Sequence, residues 1–369
     1  MIRSPAAVLV CVGASCLAVA GASGQSQSTS APAGEQFGAS PDALGPIGGG
    51  AGYKGIIEKA DFRVSTIDEL LKALKEAKPG QVVYVDDKSE LDFSVRVVVE
   101  KLIVEIPGGV TLAGGRGRDG SQGALLCSDV LTTSPLIRVA GPKVHITGLR
   151  IQGPDPKVRE AELARLYDKK LFEEAGNSFY YRFPTCQGIA AAYPNLEIDN
   201  CELSGWSHSA VYLQEGARGT RIHHNSIHHC QRRGLGYGVC LDVADAVIES
   251  NVFDYYRHAI AATGRPGTRY EACNNLVLGH AVSHAFDMHG GSDRKDGTEI
   301  AGDWIRIHHN TFKVADQADI VIRGQPIQGG EVHHNVFLHA DPKDTYKQTV
   351  GSNVRIYRNQ YGPQRVVGP

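Results

Sequence analysis

Between Ser283 and Gly291 an aspartate and a histidine stand two residues apart, Asp287 and His289, with Phe286 and Met288 alternating against them. Alternation with period two marks a strand with one buried face. With Phe286 and Met288 turned inward, the carboxylate and the imidazole project together from the outer face. Such a pair can move a proton: the imidazole as base or acid, the carboxylate orienting it or sharing the proton. Asp-x-His is a common triplet, so its weight rests on the strands stacked above and below it.

Those strands are legible because the chain repeats. Ile222-x-x-Asn225-x-Ile227, Ile248-x-x-Asn251-x-Phe253, Ile307-x-x-Asn310-x-Phe312, Val332-x-x-Asn335-x-Phe337 and Ile356-x-x-Asn359-x-Tyr361 share one pattern. Ile198-x-x-Cys201-x-Leu203 fits with Cys in the Asn place, and Ala272-x-x-Asn275-x-Val277 fits more loosely. From Cys201 to Asn359 the steps are 24, 26, 24, 35, 25 and 24 residues. The long step is one coil plus about eleven residues near 290–303. Upstream, Leu149 of Ile146-x-x-Leu149-x-Ile151 lies 52 residues before Cys201. That distance is one coil plus an insertion of about 28 residues at 154–185, whose Val158, Ala161, Leu163, Leu166 and Leu171 are spaced as in a helix. Propeller blades need roughly 40 residues, so a 24-residue step argues against them. A parallel β-helix, with like positions stacked about 4.8 Å apart and a ladder of Asn side chains bonding to one another and to tight turns, satisfies the period.

Each coil carries a second strand: Ala210–Gln214, Gly238–Asp242, Ala259–Thr263, Ala285–His289 and Asp319–Arg323. Their second and fourth places are apolar throughout and face inward. The fifth place runs Gln214, Asp242, Thr263, His289, Arg323, and the third runs Tyr212, Cys240, Ala261, Asp287, Val321. His289 therefore falls one coil from Thr263 and from Arg323, with His258 and His284 in equivalent places just before their strands. Asp287, His289, Arg323, His258 and His284 form the expected catalytic group. Tyr237, Asp242, Arg257, Arg294 and Gln214 are the expected substrate contacts, with the 290–303 insertion walling the face. The pairs His223-His224, His308-His309 and His333-His334 resemble metal ligands, but their fixed place in the repeat accounts for them as stacked rings, and no metal site is assigned. Arg232, Arg233, Arg265 and Arg269 are either attractors of an anionic polymer or solvated loop charges.

The whole is a chain of 369 residues with net charge −2, which excludes a nucleic-acid binder working by bulk charge. Arg3, the apolar run Ala6–Val19 and Ala20-Gly21-Ala22 read as a signal peptide over 1–22, hence a secreted or periplasmic protein with no membrane association after cleavage. Lipoprotein anchoring through Cys16 is the weaker alternative. Residues 23–52, rich in Ser, Ala, Pro and Gly, read as a flexible linker, and 53–362 as the β-helix domain. Thr66 and Glu69 form a capping box for a helix carrying Ile67, Leu70, Leu71, Leu74 and Ala77 on one face, stopped by Pro79-Gly80. That helix is placed to cover the open end of the sheets. After cleavage six cysteines remain, Cys127, Cys186, Cys201, Cys230, Cys240 and Cys273, spaced as neither a zinc site nor a disulfide framework; most read as small buried hydrophobes.

The repeat units and the front helix, over residues 60–361, resemble the pectate-lyase-like, right-handed parallel β-helix family. The resemblance implies an all-β, single-stranded solenoid with a capping helix and one helical insertion, acting as a monomer on an acidic polysaccharide. Family members neutralise the uronate carboxylate, remove the proton from the adjacent carbon and assist the departing oxygen, with Arg, Lys, Tyr or His as base and in some cases Ca²⁺ on the carboxylate. Asp242 and Asp245 are the nearest candidates for Ca²⁺, and no dense Asp cluster accompanies them. Asp287-Met288-His289 is also similar to the Asp-Pro-His-Asp motif of alginate C5-epimerases, with Met288 in place of Pro and Gly290 in place of the second Asp. Three readings follow: a polysaccharide lyase first, an epimerase or glycoside hydrolase on the same scaffold second, and a non-catalytic polysaccharide-binding β-helix third.

Overall fold

The computed structural model describes residues 35–154, 170, 173–174, 179–347 and 353–363. The expected signal peptide, Cys16 and the first part of the linker lie outside the described residues. So does most of the expected 154–185 insertion; of its described residues, Lys170, Glu173, Glu174 and Phe179–Arg182 are helical. Among the described residues no helix is long and apolar enough to cross a membrane.

Three all-parallel sheets form the body of the protein, of eleven (sheet A), ten (sheet B) and eight strands (sheet C). Each coil thus has three strands where the sequence pattern resolves two. The apolar-x-x-Asn-x-apolar unit is itself two strands, such as Thr220–His223 of sheet A and Ser226–Cys230 of sheet B, joined by a corner at the Asn. The corner is sharp because the residue before each Asn is left-handed: His224, Ser250, Asn274, His309, His334 and Arg358 have φ between 49° and 58°. A non-glycine residue there costs on the order of 1–2 kcal/mol.

The Asn ladder offsets that cost. Asn251 Oδ1 accepts both the backbone N–H and the Nδ2–H of Asn225 at 3.0 Å, and Asn225 Nδ2 also donates to the Ile198 carbonyl at 2.9 Å. The pattern continues through Asn275, Asn310, Asn335 and Asn359, and Cys201 enters it through its N–H to Asn225 Oδ1 and a thiol contact to the Ile146 carbonyl at 3.8 Å. Asn275→Ala would strip partners from Asn251, Asn310 and the Ile248 carbonyl at a wholly buried position. We expect a loss of about 2–4 kcal/mol in urea unfolding, with a lowered midpoint as the readout.

Inside, the second and fourth places of sheet C are buried as their alternation requires, and Phe286, Phe312 and Phe337 pack ring on ring at 4.9–5.0 Å. The front helix, Ile67–Glu76, has the expected capping box and sends Leu70, Ala73 and Leu74 into the core. His308 and His333 stack at 5.0 Å with rings 2° from parallel. The six cysteines are free, all but Cys127 buried.

The linker expectation fails over residues 36–52, which form an ordered strap against the Asn corners. Gly38 N–H donates to the His334 carbonyl, Ser40 N–H to Asn274 Oδ1 and Gly50 N–H to Asn200 Oδ1, and just beyond, Tyr53 O–H donates to Asp199 at 2.5 Å. The left-handed corners leave acceptors pointing outward, and the strap fills them. The glycines that read as flexibility permit the approach: a Cβ on Gly49 would lie 2.4 Å from the His224 carbonyl oxygen.

Candidate active site

Sheet C places the site. Ala261, Asp287 and Val321 lie side by side on consecutive strands, as do Ala262, Met288 and Ile322. The ladder runs one residue further through His289 N–H to Ala262 and Arg323 N–H to Met288, which sets Thr263, His289 and Arg323 in the expected column. Phe286 and Met288 enter the core, so Asp287 and His289 leave it on the outer face. Because Ala261 and Val321 flanking it are short, Asp287 is overlaid by longer neighbours and is wholly buried without being part of the apolar core.

Those neighbours are the other expected catalytic residues. His289 Nε2 lies 3.0 Å from Asp287 Oδ2, His284 Nε2 3.1 Å from Oδ1, and Arg323 Nη2 donates to Oδ2 at 3.2 Å. His258 Nε2 stands 3.9 Å away. Burial alone would raise the Asp287 carboxyl, but the His284 and His289 imidazoles packed against it hold it well below the usual carboxylate range. It is thus a fixed negative charge beneath a ring of nitrogens, with the Arg323 guanidinium as its cation.

His258 departs from its expected role. It is fully buried, clamped between the Tyr237 ring (5.7 Å, 8° from parallel) and the His284 ring (4.0 Å), and cannot meet a polymer. Its Nδ1–H donates to the His284 carbonyl at 2.6 Å, so Nε2 carries the lone pair, and that atom has no hydrogen-bond partner among the described residues. Burial, then the neighbouring His284, pushes its basicity far below the ordinary imidazole range. His258 supports the site from beneath. His284, slightly exposed, is lowered by burial as well, against the pull of Asp287. His289 is the expected acid–base group that reaches solvent, at 32% exposure.

The expected substrate contacts divide. Tyr237 forms an outer-face apolar patch with Cys240 and Ala261, against which Tyr212 and Leu235 pack, a floor leading to the rung. Arg257 lies over Tyr237, its Nη1 3.4 Å from the phenol oxygen. Gln214 is exposed at the far end of its column. Asp242 accepts from Thr263 and Arg265, at 2.9 and 2.6 Å, and so holds its neighbours. Arg294 is turned away from the groove: it donates to the Thr263, His289 and Ile300 carbonyls and pairs with Asp296, clasping the insertion.

Two residues escaped the sequence reading. His208 packs against Tyr212 and Tyr237 at the edge of the floor. Asp293, carried by the short helix Gly291–Arg294, lies 3.4 Å from both His289 Nδ1 and Arg323 Nη1. Its signal was the four-residue spacing from His289 inside a stretch already read as a wall.

Calcium does not fit the residues named for it. Asp242 faces Arg265, and Asp245 faces Arg269 at 2.9 Å and Arg218 at 3.8 Å, so each carboxylate already has a cation. Among the described residues two other groups bring three ligand atoms close enough to share an ion: His258, His284 and Asp287, and Glu271, Cys273 and His308. Both mix nitrogen or sulfur with oxygen, which suits a transition ion better than calcium.

No family model matches the chain, and no curated protein matches it. Among solved structures it is similar to an alginate lyase from Paenibacillus sp. str. FPU-7, with 15% identity over 82% of this chain and 95% of that one, at a TM-score of 0.48. A similarity at this level assigns no activity.

Proposed function

We propose that this protein is a lyase acting on a uronate-containing polysaccharide by β-elimination. The observation that carries the reading is that one buried carboxylate, Asp287, holds both a solvent-reaching imidazole (His289, 3.0 Å) and a guanidinium (Arg323, 3.2 Å) on one outward face. Arg323 meets the uronate carboxylate and lowers the barrier to forming a carbanion beside it. His289, oriented through Nε2 by Asp287, takes the C5 proton on Nδ1. The electron pair forms the C4=C5 double bond as the C4–O bond breaks, and the proton held by His289 passes to the departing oxygen. A hydrolase finds less support, since Asp287 is buried and Asp242 is engaged by Arg265.

The test is incubation with a panel of uronate polysaccharides. New UV-absorbing unsaturated ends support the lyase, whereas inverted C5 configuration without cleavage identifies an epimerase using the same proton abstraction. His289→Ala should lower kcat/KM by about 10²–10⁴, and Arg323→Ala by about 10²–10³. Full activity in both variants would remove the site from this rung.

A further inference from the structure

The geometry points to a carboxylate-binding subsite formed by Arg323 Nη1 and the Gly290 N–H, beside His289 Nδ1, which Asp293 occupies until a uronate displaces it. The inference rests on the uronate reading above and names what holds that site closed. Both donors converge on one atom, Asp293 Oδ2, each 3.4 Å from it, and the proton-accepting His289 Nδ1 lies at the same distance. Charge-assisted hydrogen bonds of this type close to about 2.7–2.9 Å when the partners fit. Asp293 therefore sits in a seat wider than its tethered carboxylate can close, held by position more than by strong bonds. An untethered sugar carboxylate carries the same charge and can settle deeper.

The contact to Gly290 alone would be an ordinary turn-capping bond. The other donor, Arg323, comes from outside that turn, on the next coil. It is the group that meets the uronate carboxylate in the proposed elimination, and the seat adjoins the proposed base, His289. Asp293 and His289 are each about one-third exposed, so the seat opens to solvent and exchange needs only a side-chain rotation. Arg294 clasps the loop through three carbonyls, which leaves the fold of the loop independent of the Asp293 carboxylate.

The experiment is calorimetric titration of the full chain with D-glucuronate, comparing the parent protein with Asp293→Ala and Asp293→Asn. If Asp293 fills the seat nine-tenths of the time, its removal should tighten glucuronate binding roughly tenfold. Adding Arg323→Ala to Asp293→Ala should abolish the gain. Unchanged or weaker binding in both Asp293 variants, including no binding by any form, overturns the inference and leaves Asp293 as a support for His289. The assay needs no turnover, so it separates from the lyase reading. Tighter binding without unsaturated products keeps the subsite and removes the lyase; unsaturated products without tighter binding do the reverse.

Discussion

Asp287→Ala should abolish turnover and also lower stability by about 3–5 kcal/mol, the range for removing one partner from a buried charged network. The carboxylate is fully buried and is approached by Arg323 at 3.2 Å, His289 at 3.0 Å and His284 at 3.1 Å. Without it the Arg323 guanidinium loses the charge that fixes its Nη2 edge, and His289 loses the acceptor that turns Nδ1 outward. Asp287→Asn separates the two effects. Its volume is retained, its oxygen can still accept from an imidazole, and its new N–H₂ can turn toward the unpartnered His258 Nε2. Asn should therefore destabilise less than Ala in urea while losing about as much activity, because a neutral amide no longer stabilises the imidazolium formed by proton abstraction. The Asp287→Ala/His289→Ala double variant should be little worse in kcat/KM than His289→Ala alone, since groups acting as a unit are strongly non-additive. Additive losses would show that Asp287 does not act through His289.

The rung could be found in the sequence because two periods coincide there. Alternation told inside from outside along Ala285–His289, and the 24-residue step told which residues of other coils lie beside them; both depend on backbone geometry that every coil shares. Arg323 was therefore placed beside His289 across 34 residues and an insertion. Features set by side chains alone were not legible. His258 occupies the same place in its coil as His284 in the next, yet one is sealed beneath Tyr237 and the other slightly open, a difference of local packing. Asp293 lies in a stretch where the repeat is interrupted, so no column pointed to it. The strap at 36–52 has no repeat of its own. It is ordered by acceptors that exist only once the corners are folded, and composition cannot show them.

Acid should destabilise the fold well before its carboxylates titrate. His258 and His284 are held below the ordinary imidazole range, first by burial. His208, buried beside Arg232, is pushed down to about 4, and His224 is lowered in the same sense by burial. A histidine whose folded pKa lies below its unfolded value of about 6.5 contributes its full stability above that pH. As pH falls below it the unfolded chain takes up protons that the folded chain refuses. For a fully buried ring such as His258 the loss approaches about 1.4 kcal/mol per pH unit. Two groups act in the opposite sense. Asp319 is raised well above the carboxylate range by burial, so its contribution grows as pH falls toward 4. His145 is raised too: burial works against its bond to Asp199 and loses, so its contribution is already complete below about 6.5 and has no slope there. Asp287, depressed, holds its contribution until pH falls below about 4. The balance between pH 6 and 5 is several lowered histidines against one raised carboxylate. The urea midpoint should hold near pH 7 and fall steadily from about pH 6.5 downward, with a second fall below 4 as Asp287 begins to titrate. His258→Gln should flatten the first fall, and Asp319→Asn should steepen it, because it removes the opposing group. A midpoint that rises from pH 7 to pH 5 would mean that these rings are protonated in the folded protein. In that case His258 and His284 would be donors toward Asp287 throughout.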